Sequence, residues 1–433
     1  MTKLLPKKAQ QKALPKAPRQ VPKHADISHF ASQNNELVIG DKTISQIEKL
    51  VGSTPYYAYD KALIANTVAS LKSVLPEKIQ LHYAIKANPY PSLVHFMVNH
   101  VSGFDVASKK EMLLALQSGM PAKEISFAGP GKTHDDLQAA IIAGITLHAE
   151  STTEINRAIA LGVSLAIKPN IAIRVNPAFE LKASGMKMSG GSKPFGIDEE
   201  LLPELLKELP YDKINFKGFH IFAGSQNLKA DAIIEMHEKT FMLAQQLVAL
   251  TPVKIAYINI GGGLGIPYFP GEQRLTLDEI SANLSKLLKQ YQHTLADINI
   301  IMELGRYLVG EAGVYVSKIV DKKVSRATTY LICDGGLHHH LSNSGNFGQV
   351  IRKNYPVAIG NKLVSTVDRK ELENELVNIV GPLCTPLDIV ADKVNLPKSD
   401  IGDYVVVYQS GAYGASASPK DFLSQPQLNE ILL

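Results

Sequence analysis

From residue 79 onward, short apolar runs alternate with amphipathic stretches. The runs fall at 79–86, 103–107, 124–128, 145–149, 170–175, 216–222, 255–260 and 297–303. Each is short, apolar and bounded by polar or glycine positions, so each predicts a buried strand. Between them Glu111–Gln117, Leu137–Ala143, Glu154–Leu161, Leu201–Leu209, Ala232–Leu250 and Leu277–Tyr291 carry helical spacing. Ser108-Lys109-Lys110-Glu111 has the form of a capping box opening the first of these. A helix over Lys61–Leu75 precedes the first strand. Strands alternating with helices in this number predict an α/β fold, a TIM (β/α)8 barrel over 55–310. A doubly wound open sheet is the rival topology for the same alternation.

Beyond residue 310 the texture changes. Val314–Val320, Thr329–Cys333, Leu363–Asp368, Val377–Val380 and Tyr404–Gln409 read as strands without long helices between them, punctuated by prolines. They predict a C-terminal β domain over 311–433, which the N-terminal segment 26–54 is expected to join. Residues 1–25 hold seven basic side chains, four prolines and no acid, and read as a disordered basic tail. The formal net charge of +4 therefore resides in the tail, and the rest of the chain is near −3. No aromatic residues interleave the tail's charges, so a solvated tail is expected and no nucleic-acid partner. No apolar stretch is long enough to cross a bilayer, so no membrane partner is expected. Two cysteines, Cys333 and Cys384, form no disulfide framework, and a cytoplasmic location follows as the expectation.

Lys86 ends the first apolar run and is followed at once by Ala87-Asn88-Pro89. Burial there would strip its solvation, lower its pKa and make the amine nucleophilic towards carbonyls, as a Schiff-base lysine requires. A lysine snorkelling from a strand end is the alternative for this segment taken alone. Barrels bind phosphate with the loops after strands seven and eight. The seventh run leads into Gly261-Gly262-Gly263, where backbone N–H groups can close on an anion without Cβ interference. The eighth leads into Glu303-Leu304-Gly305-Arg306, and Arg306 can make a bidentate contact to phosphate. The sixth ends Ala223-Gly224-Ser225-Gln226, adding a hydroxyl. A reactive lysine opposite a phosphate site points to pyridoxal 5′-phosphate. Glu303 then faces the pyridine nitrogen and keeps it protonated, its plainer reading being a strand-end acid. Arg174, charged within an apolar strand, needs an anion, either the cofactor's phenolate oxygen or a core acid such as Asp105.

In order and spacing, Tyr83-Ala84-Ile85-Lys86-Ala87-Asn88, Gly103-Phe104-Asp105-Val106-Ala107-Ser108, Gly261-Gly262-Gly263, Glu303-Leu304-Gly305-Arg306, Gly381-Pro382-Leu383-Cys384 and Ser410-Gly411-Ala412-Tyr413-Gly414 form a specific set. Over about 55–422 the chain resembles the fold-type III PLP-dependent decarboxylases, the diaminopimelate and ornithine decarboxylase family with its alanine racemase-like barrel. Gly218–Asn227, Asp334–His340 and Cys384–Asp388 look most like the exosortase A-associated and glutamyl-carrier-protein decarboxylase subgroup. The resemblance implies PLP held by Lys86, Asp105, Arg174, His220, Phe222, Ser225, the three glycines, Glu303, Gly305, Arg306 and Tyr413. It implies a head-to-tail homodimer with shared active sites, in which Cys384 of the partner protonates Cα after CO2 leaves.

Two departures matter. Where the wider family stacks a histidine on the ring, this chain has Phe222, which cannot hydrogen-bond; His220, two residues earlier on the same strand face, is expected to compensate in part. Where relatives of this kind follow the cysteine with an acid that reads the distal amine, this chain has Thr385. A hydroxyl offers no counter-charge, so a substrate without a free distal ammonium is expected, such as a carrier-protein-linked, glutamate-like acid. Arg352 and Tyr355 are candidate contacts for the substrate carboxylate. His338-His339-His340 is not expected to bind metal, because adjacent side chains of an extended segment point apart. The rival readings are a diaminopimelate decarboxylase with altered distal recognition, a racemase, which Glu303 argues against, and an inactive regulatory homologue.

Overall fold

The computed structural model describes residues 22–180, 186–187, 190–347, 349, 351–363 and 373–433. Most of the basic tail, residues 1–21, and most of the strand expected at Leu363–Asp368 lie outside these described residues.

Eight parallel strands close on themselves. They are β1 (Ile79–Ala84), β2 (Gly103–Val106), β3 (Ile125–Phe127), β4 (Thr146–Ala149), β5 (Asn170–Asn176), β6 (Asn215–Ile221), β7 (Tyr257–Asn259) and β8 (Asn299–Leu304). Closure is made by β8 pairing with β1, Glu303 opposite His82, and by β4 pairing with β5. The open-sheet rival is therefore excluded. Helices return between strands and bury one stripe each: Leu137, Ala140 and Ile141 of His134–Ala143, or Ile155, Ala158 and Leu161 of Thr152–Leu165. Ser108 caps the helix Lys109–Gln117 by accepting from Glu111 N–H, but the Glu111 carboxylate accepts from Ala107 N–H, one residue short of the box the sequence predicts.

Inside the barrel the strands present polar side chains. His148 of β4 reaches Tyr257 of β7, and these strands are not neighbours, so the contact crosses the lumen. His82, Asp105, Ser126, His220, Asn259 and Glu303 are buried as well. Barrel interiors are usually filled by branched apolar side chains.

The second sheet is built on the long strand β9 (Gly313–Ser325). It is joined by β10 (Thr328–Cys333), β11 (Val357–Ile359), β12 (Asn374–Val380), β13 (Ile389–Pro397) and β14 (Tyr404–Val407). Tyr56–Tyr59 pairs antiparallel with β9 and parallel with Asn429–Leu432. That strand thus belongs to the β domain, and the barrel opens with the helix Lys61–Val74 rather than at residue 55. Leu37, Ile39, Ile44 and Ile47 pack with Tyr56, Val314, Val316 and Val406 in a core of their own. The domains meet at the barrel's C-terminal mouth, where Gly411 N–H donates to Gly310 and Tyr413 N–H to Ala87.

Candidate active site

Lys86 lies in a short 3-10 turn, Ile85–Ala87, directly after β1. Its Nζ is 3.4 Å from Glu303 Oε1 and 3.7 Å from Asp105 Oδ2. Two-fifths of the side chain remains exposed at the mouth. Desolvation works to lower the Lys86 pKa, but the carboxylates of Glu303 and Asp105 outweigh it and hold the ammonium above the usual lysine value. This corrects the sequence expectation of a pKa lowered by burial: two acids on neighbouring strands reverse its sign.

The acids divide the work between them. Desolvation and the charge of Glu303 raise the Asp105 carboxyl well above the carboxylate range. Glu303 is lowered: desolvation opposes ionisation, but Lys86 and a hydrogen bond from Asp105 prevail. Asp105 Oδ1 accepts from Ser126 at 3.1 Å. Glu303 Oε2 is approached by Asn259 Nδ2 and His220 Nε2, both at 3.4 Å. Asn259 also accepts from Gly261 N–H at 2.8 Å, so one amide ties the central carboxylate to the glycine loop. Asn259 was not singled out from the sequence, where an asparagine before a glycine reads as turn chemistry.

The glycine loop is built for close approach. Gly261 and Gly263 have φ of 69° and 96°, the left-handed region, and a Cβ on Gly262 would collide with the Glu303 carbonyl. Gly261–Gly263 are buried, yet among the described residues no acceptor meets the N–H of Gly262 or Gly263. Beside them Arg306 is stacked 4.5 Å from the Tyr413 ring centre and 5.3 Å from that of Tyr268. Its Nη1 donates to Tyr268 at 3.0 Å, its Nε is buried with no partner, and no carboxylate pairs with it among the described residues. Free N–H donors and a guanidinium lacking an anion suit a phosphate. Ser225 lies nearby in sequence space on the β6 loop, in a two-residue strand paired with Met186–Lys187. The Phe222 ring centre is 5.9 Å from Lys86 Nζ and 6.3 Å from His220. His220 lies against Glu303.

Arg174 is buried and paired, but neither sequence candidate for its anion is its partner within the chain. Its Nη1 meets Glu150 Oε1 at 2.7 Å, and it lies 5.1 Å from the Phe195 ring centre. Glu150 also accepts from Gly129 and Gly196 N–H groups. Glu150 directly follows β4 just as Lys86 follows β1 by two residues, and that strand-end position was the available signal.

Arg352 and Tyr355 are engaged within the chain. Arg352 is spent on Ser344 and Ile389 carbonyls and the Asn354 side chain. Tyr355 is buried against Tyr268, ring centres 4.6 Å apart, behind Arg306. Cys384 is exposed on the β-domain loop Gly381–Asp388. Thr385 braces that loop, its N–H donating to Leu383 and its hydroxyl accepting from Leu387 N–H. The three consecutive histidines take separate partners: His339 Nε2 the Pro426 carbonyl, His340 Nε2 the Ser410 hydroxyl, and His338 none among the described residues.

Comparison with known proteins agrees with this geometry. Residues 61–310 match the pyridoxal-dependent decarboxylase, pyridoxal-binding domain. The chain belongs to the pyridoxal-dependent decarboxylases. It is 35% identical over 384 residues, 88% of each chain, to the L-glutamyl-[BtrI acyl-carrier protein] decarboxylase of Niallia circulans. It is 29% identical over 407 residues, 93% of this chain and 91% of the other, to the diaminopimelate decarboxylase of Aquifex aeolicus. The diaminopimelate decarboxylase of Helicobacter pylori, solved with L-lysine, superposes with a TM-score of 0.78 at 27% identity, covering 89% of this chain and 94% of that one. The cofactor is accordingly pyridoxal 5′-phosphate, and the protein is a PLP-dependent decarboxylase. No helix of the described residues is long and apolar enough to cross a membrane.

Proposed function

We propose that this decarboxylase removes the α-carboxylate of an amino acid whose distal end carries no free ammonium, with carrier-protein-linked glutamate as the best-fitting substrate. One observation carries the reading. The acid within the loop 381–388 is Asp388, and it is buried with one oxygen on Leu337 N–H and the other on Leu383 N–H. The position after Cys384 is the neutral Thr385, so the loop presents no carboxylate to a distal ammonium. Likeness to a glutamyl-carrier-protein decarboxylase supports the same assignment.

In this reading Lys86 supplies the amine that holds the cofactor covalently. Asp105 lies 3.7 Å away, its carboxyl held protonated beside the ionised Glu303. Glu303, kept ionised, would hold a proton on the cofactor's ring nitrogen, and Phe222 would pack against the cofactor. Gly262, Gly263, Gly305, Arg306, Ser225 and Tyr413 bind the phosphate. When bound, pyridoxal 5′-phosphate supplies the electron sink for the charge left at Cα as CO2 departs. Arg174, fixed by Glu150, would supply a cation to the cofactor.

Cys384 is proposed to act in a second copy of the chain, as the donor that protonates Cα. Leu387 in the same loop and Phe347 and Ile351 elsewhere in the β domain are exposed apolar side chains that a second copy would cover. Measuring CO2 release from carrier-linked glutamate against meso-diaminopimelate tests the substrate. Turnover of diaminopimelate alone would overturn it and favour the diaminopimelate decarboxylase activity named for the Aquifex relative.

A further inference from the structure

Gln226 follows Ser225 in the loop after β6, and its side chain has no part in the chemistry proposed so far. Its Nε2 donates to the Ile266 carbonyl at 2.6 Å, and its Oε1 accepts from Ile266 N–H at 3.2 Å. One amide thus satisfies both backbone groups of a residue 40 positions away, in the loop after β7. Asn227 continues the seam: its N–H donates to the Gly263 carbonyl and its carbonyl accepts from Gly265 N–H, both at 2.9 Å. The glycine spacing fits the same seam. A Cβ on Gly261 would meet the Ile221 carbonyl at 2.9 Å, one on Gly263 the Gly224 carbonyl at 2.6 Å, and one on Gly265 the Asn227 carbonyl at 2.9 Å. Alternate residues 261, 263 and 265 therefore lie against the β6 loop, while Gly262 lies against the Glu303 carbonyl of β8. Two residues beyond Ile266, the Tyr268 hydroxyl accepts from Arg306 Nη1 at 3.0 Å. The loops after β6, β7 and β8 thus meet through the segment Gly263–Tyr268.

We propose that Gln226 is a positioning residue for the phosphate cradle: its amide fixes Ile266, and with it the N–H groups of Gly262 and Gly263 on one side and Arg306 on the other. The inference rests on the phosphate assignment proposed for those groups.

The physical reason is direction. N–H donors bind an anion well only where they converge on it, and a run of glycines does not hold its own direction. Here the Gly263 carbonyl, Gly265 N–H and both backbone groups of Ile266 are taken up by the β6 loop, which leaves Gly262 and Gly263 N–H for the anion. The segment is tied again beyond the clamp, where the Glu272 carboxylate accepts from Tyr268 N–H at 2.8 Å and Phe269 N–H at 3.1 Å. Gln226 itself has φ of 59°, the left-handed region, which is uncommon for a long side chain. Its two amide bonds offset the cost of that conformation. Groups that orient binding residues commonly change ligand affinity by about 10–100-fold at metal sites, which sets the scale.

The experiment titrates pyridoxal 5′-phosphate, and separately pyridoxal, which lacks the phosphate, into stripped full-length protein and follows the absorption band. The dissociation constant of pyridoxal divided by that of pyridoxal 5′-phosphate reads the cradle alone, because Lys86 and Glu303 serve both aldehydes. Gln226→Met, of similar length but without the amide, is expected to lower this ratio by roughly tenfold, with pyridoxal affinity within about twofold of wild type. Gln226→Asn keeps an amide and accepts the left-handed backbone more readily, but falls one methylene short of Ile266. It is expected to lower the ratio in the same direction, and it carries the test if Gln226→Met does not fold. Arg306→Ala is the control and is expected to lower the ratio as well. If Arg306→Ala lowers it while the Gln226 variants leave it unchanged, or weaken both ligands equally, Gln226 does not position the cradle. If Arg306→Ala leaves the ratio unchanged, the phosphate assignment itself is wrong.

Discussion

The guanidinium of Arg306 lies 4.5 Å from the centre of the Tyr413 ring and meets no carboxylate among the described residues, whereas that of Arg174 sits 2.7 Å from Glu150. Buried Arg174 and half-buried Arg306 therefore differ in their partners within the chain: Arg174 has a carboxylate, Arg306 a tyrosine hydroxyl and two aromatic rings.

This difference predicts opposite effects of removal. Arg306→Ala takes away an unpaired charge, so the cofactor-free protein should lose little stability. Its dissociation constant for pyridoxal 5′-phosphate should rise by ~10–100-fold, the worth of a charged hydrogen bond of about 1.5–3 kcal/mol. Arg174→Ala strands Glu150 and should cost the cofactor-free protein about 3–5 kcal/mol. Thermal melts of both stripped variants, with cofactor titrations, separate the two. Equal destabilisation by the two variants would contradict the unpaired state of Arg306.

A second prediction concerns acid stability. His82, His237, His338 and His339 are pushed down to about 4 by burial, and His340 to about 3. The folded state thus takes up these protons at lower pH than the unfolded chain does. Their contribution is full above the unfolded value of about 6.5 and is lost as pH falls towards 4, at about 1.4 kcal/mol per unit for each group. Asp334 and Asp388, raised by burial, act with the opposite sign and blunt the loss at its acid end. Stability by denaturant melts should fall steeply between pH 6.5 and 5. His237 has no partner for either ring nitrogen among the described residues, so His237→Leu should reduce that slope by about one proton. An unchanged slope would mean that His237 is charged or accessible in the fold.

The barrel was legible because its signals are local. Each strand is a short apolar run beside a helix of clear period, and predicted 170–175 became Asn170–Asn176 while predicted 103–107 became Gly103–Val106. The β domain was less so. Val357–Ile359 pairs with the distant β14 and Ile389–Pro397 with the preceding β12, and alternation in segments this short or this polar does not stand out. Tyr56–Tyr59 reads as apolar whichever sheet takes it, and only its pairing with β9 places it. In the site, glycines, a strand-end lysine and strand-end charges carry their own chemistry. The Lys86 pKa did not, because its sign depends on Glu303 and Asp105, 217 and 19 residues away in sequence. Glu150 was missed for the same reason: its partner Arg174 is one strand over.

The third prediction addresses the second copy. Lys86→Ala removes the cofactor's anchor and Cys384→Ala the proposed proton donor. If the two act in different chains, mixed dimers carry one site with both residues intact. Random exchange should then restore roughly a quarter of wild-type activity from two inactive parents. Cys384→Ala alone should still bind cofactor with wild-type affinity, since Cys384 is exposed. Exchange verified by mass tags without recovered activity would place Cys384 in its own chain's site, or outside it.

The last prediction tests what Thr385 selects. A buried ammonium without a counter-charge costs several kcal/mol, on the order of a broken buried ion pair. The Thr385 hydroxyl already accepts from Leu387 N–H at 3.3 Å, and Asp388 is committed to Leu337 and Leu383. The hydroxyl carries no charge and Asp388 is buried, so neither gives a distal ammonium its counter-ion. Substrates ending in a neutral amide or thioester should therefore exceed meso-diaminopimelate, ornithine and lysine in kcat/KM by at least ~100-fold, about 2.7 kcal/mol. Thr385→Glu supplies the missing charge and should shift the ratio towards the diamino acids by ~10-fold or more. Thr385→Val removes the hydroxyl without adding charge and should leave the ratio unchanged, which separates charge from loop shape. If Thr385→Val and Thr385→Glu move the ratio equally, the loop's conformation and not its charge sets the preference, and the distal-end assignment falls.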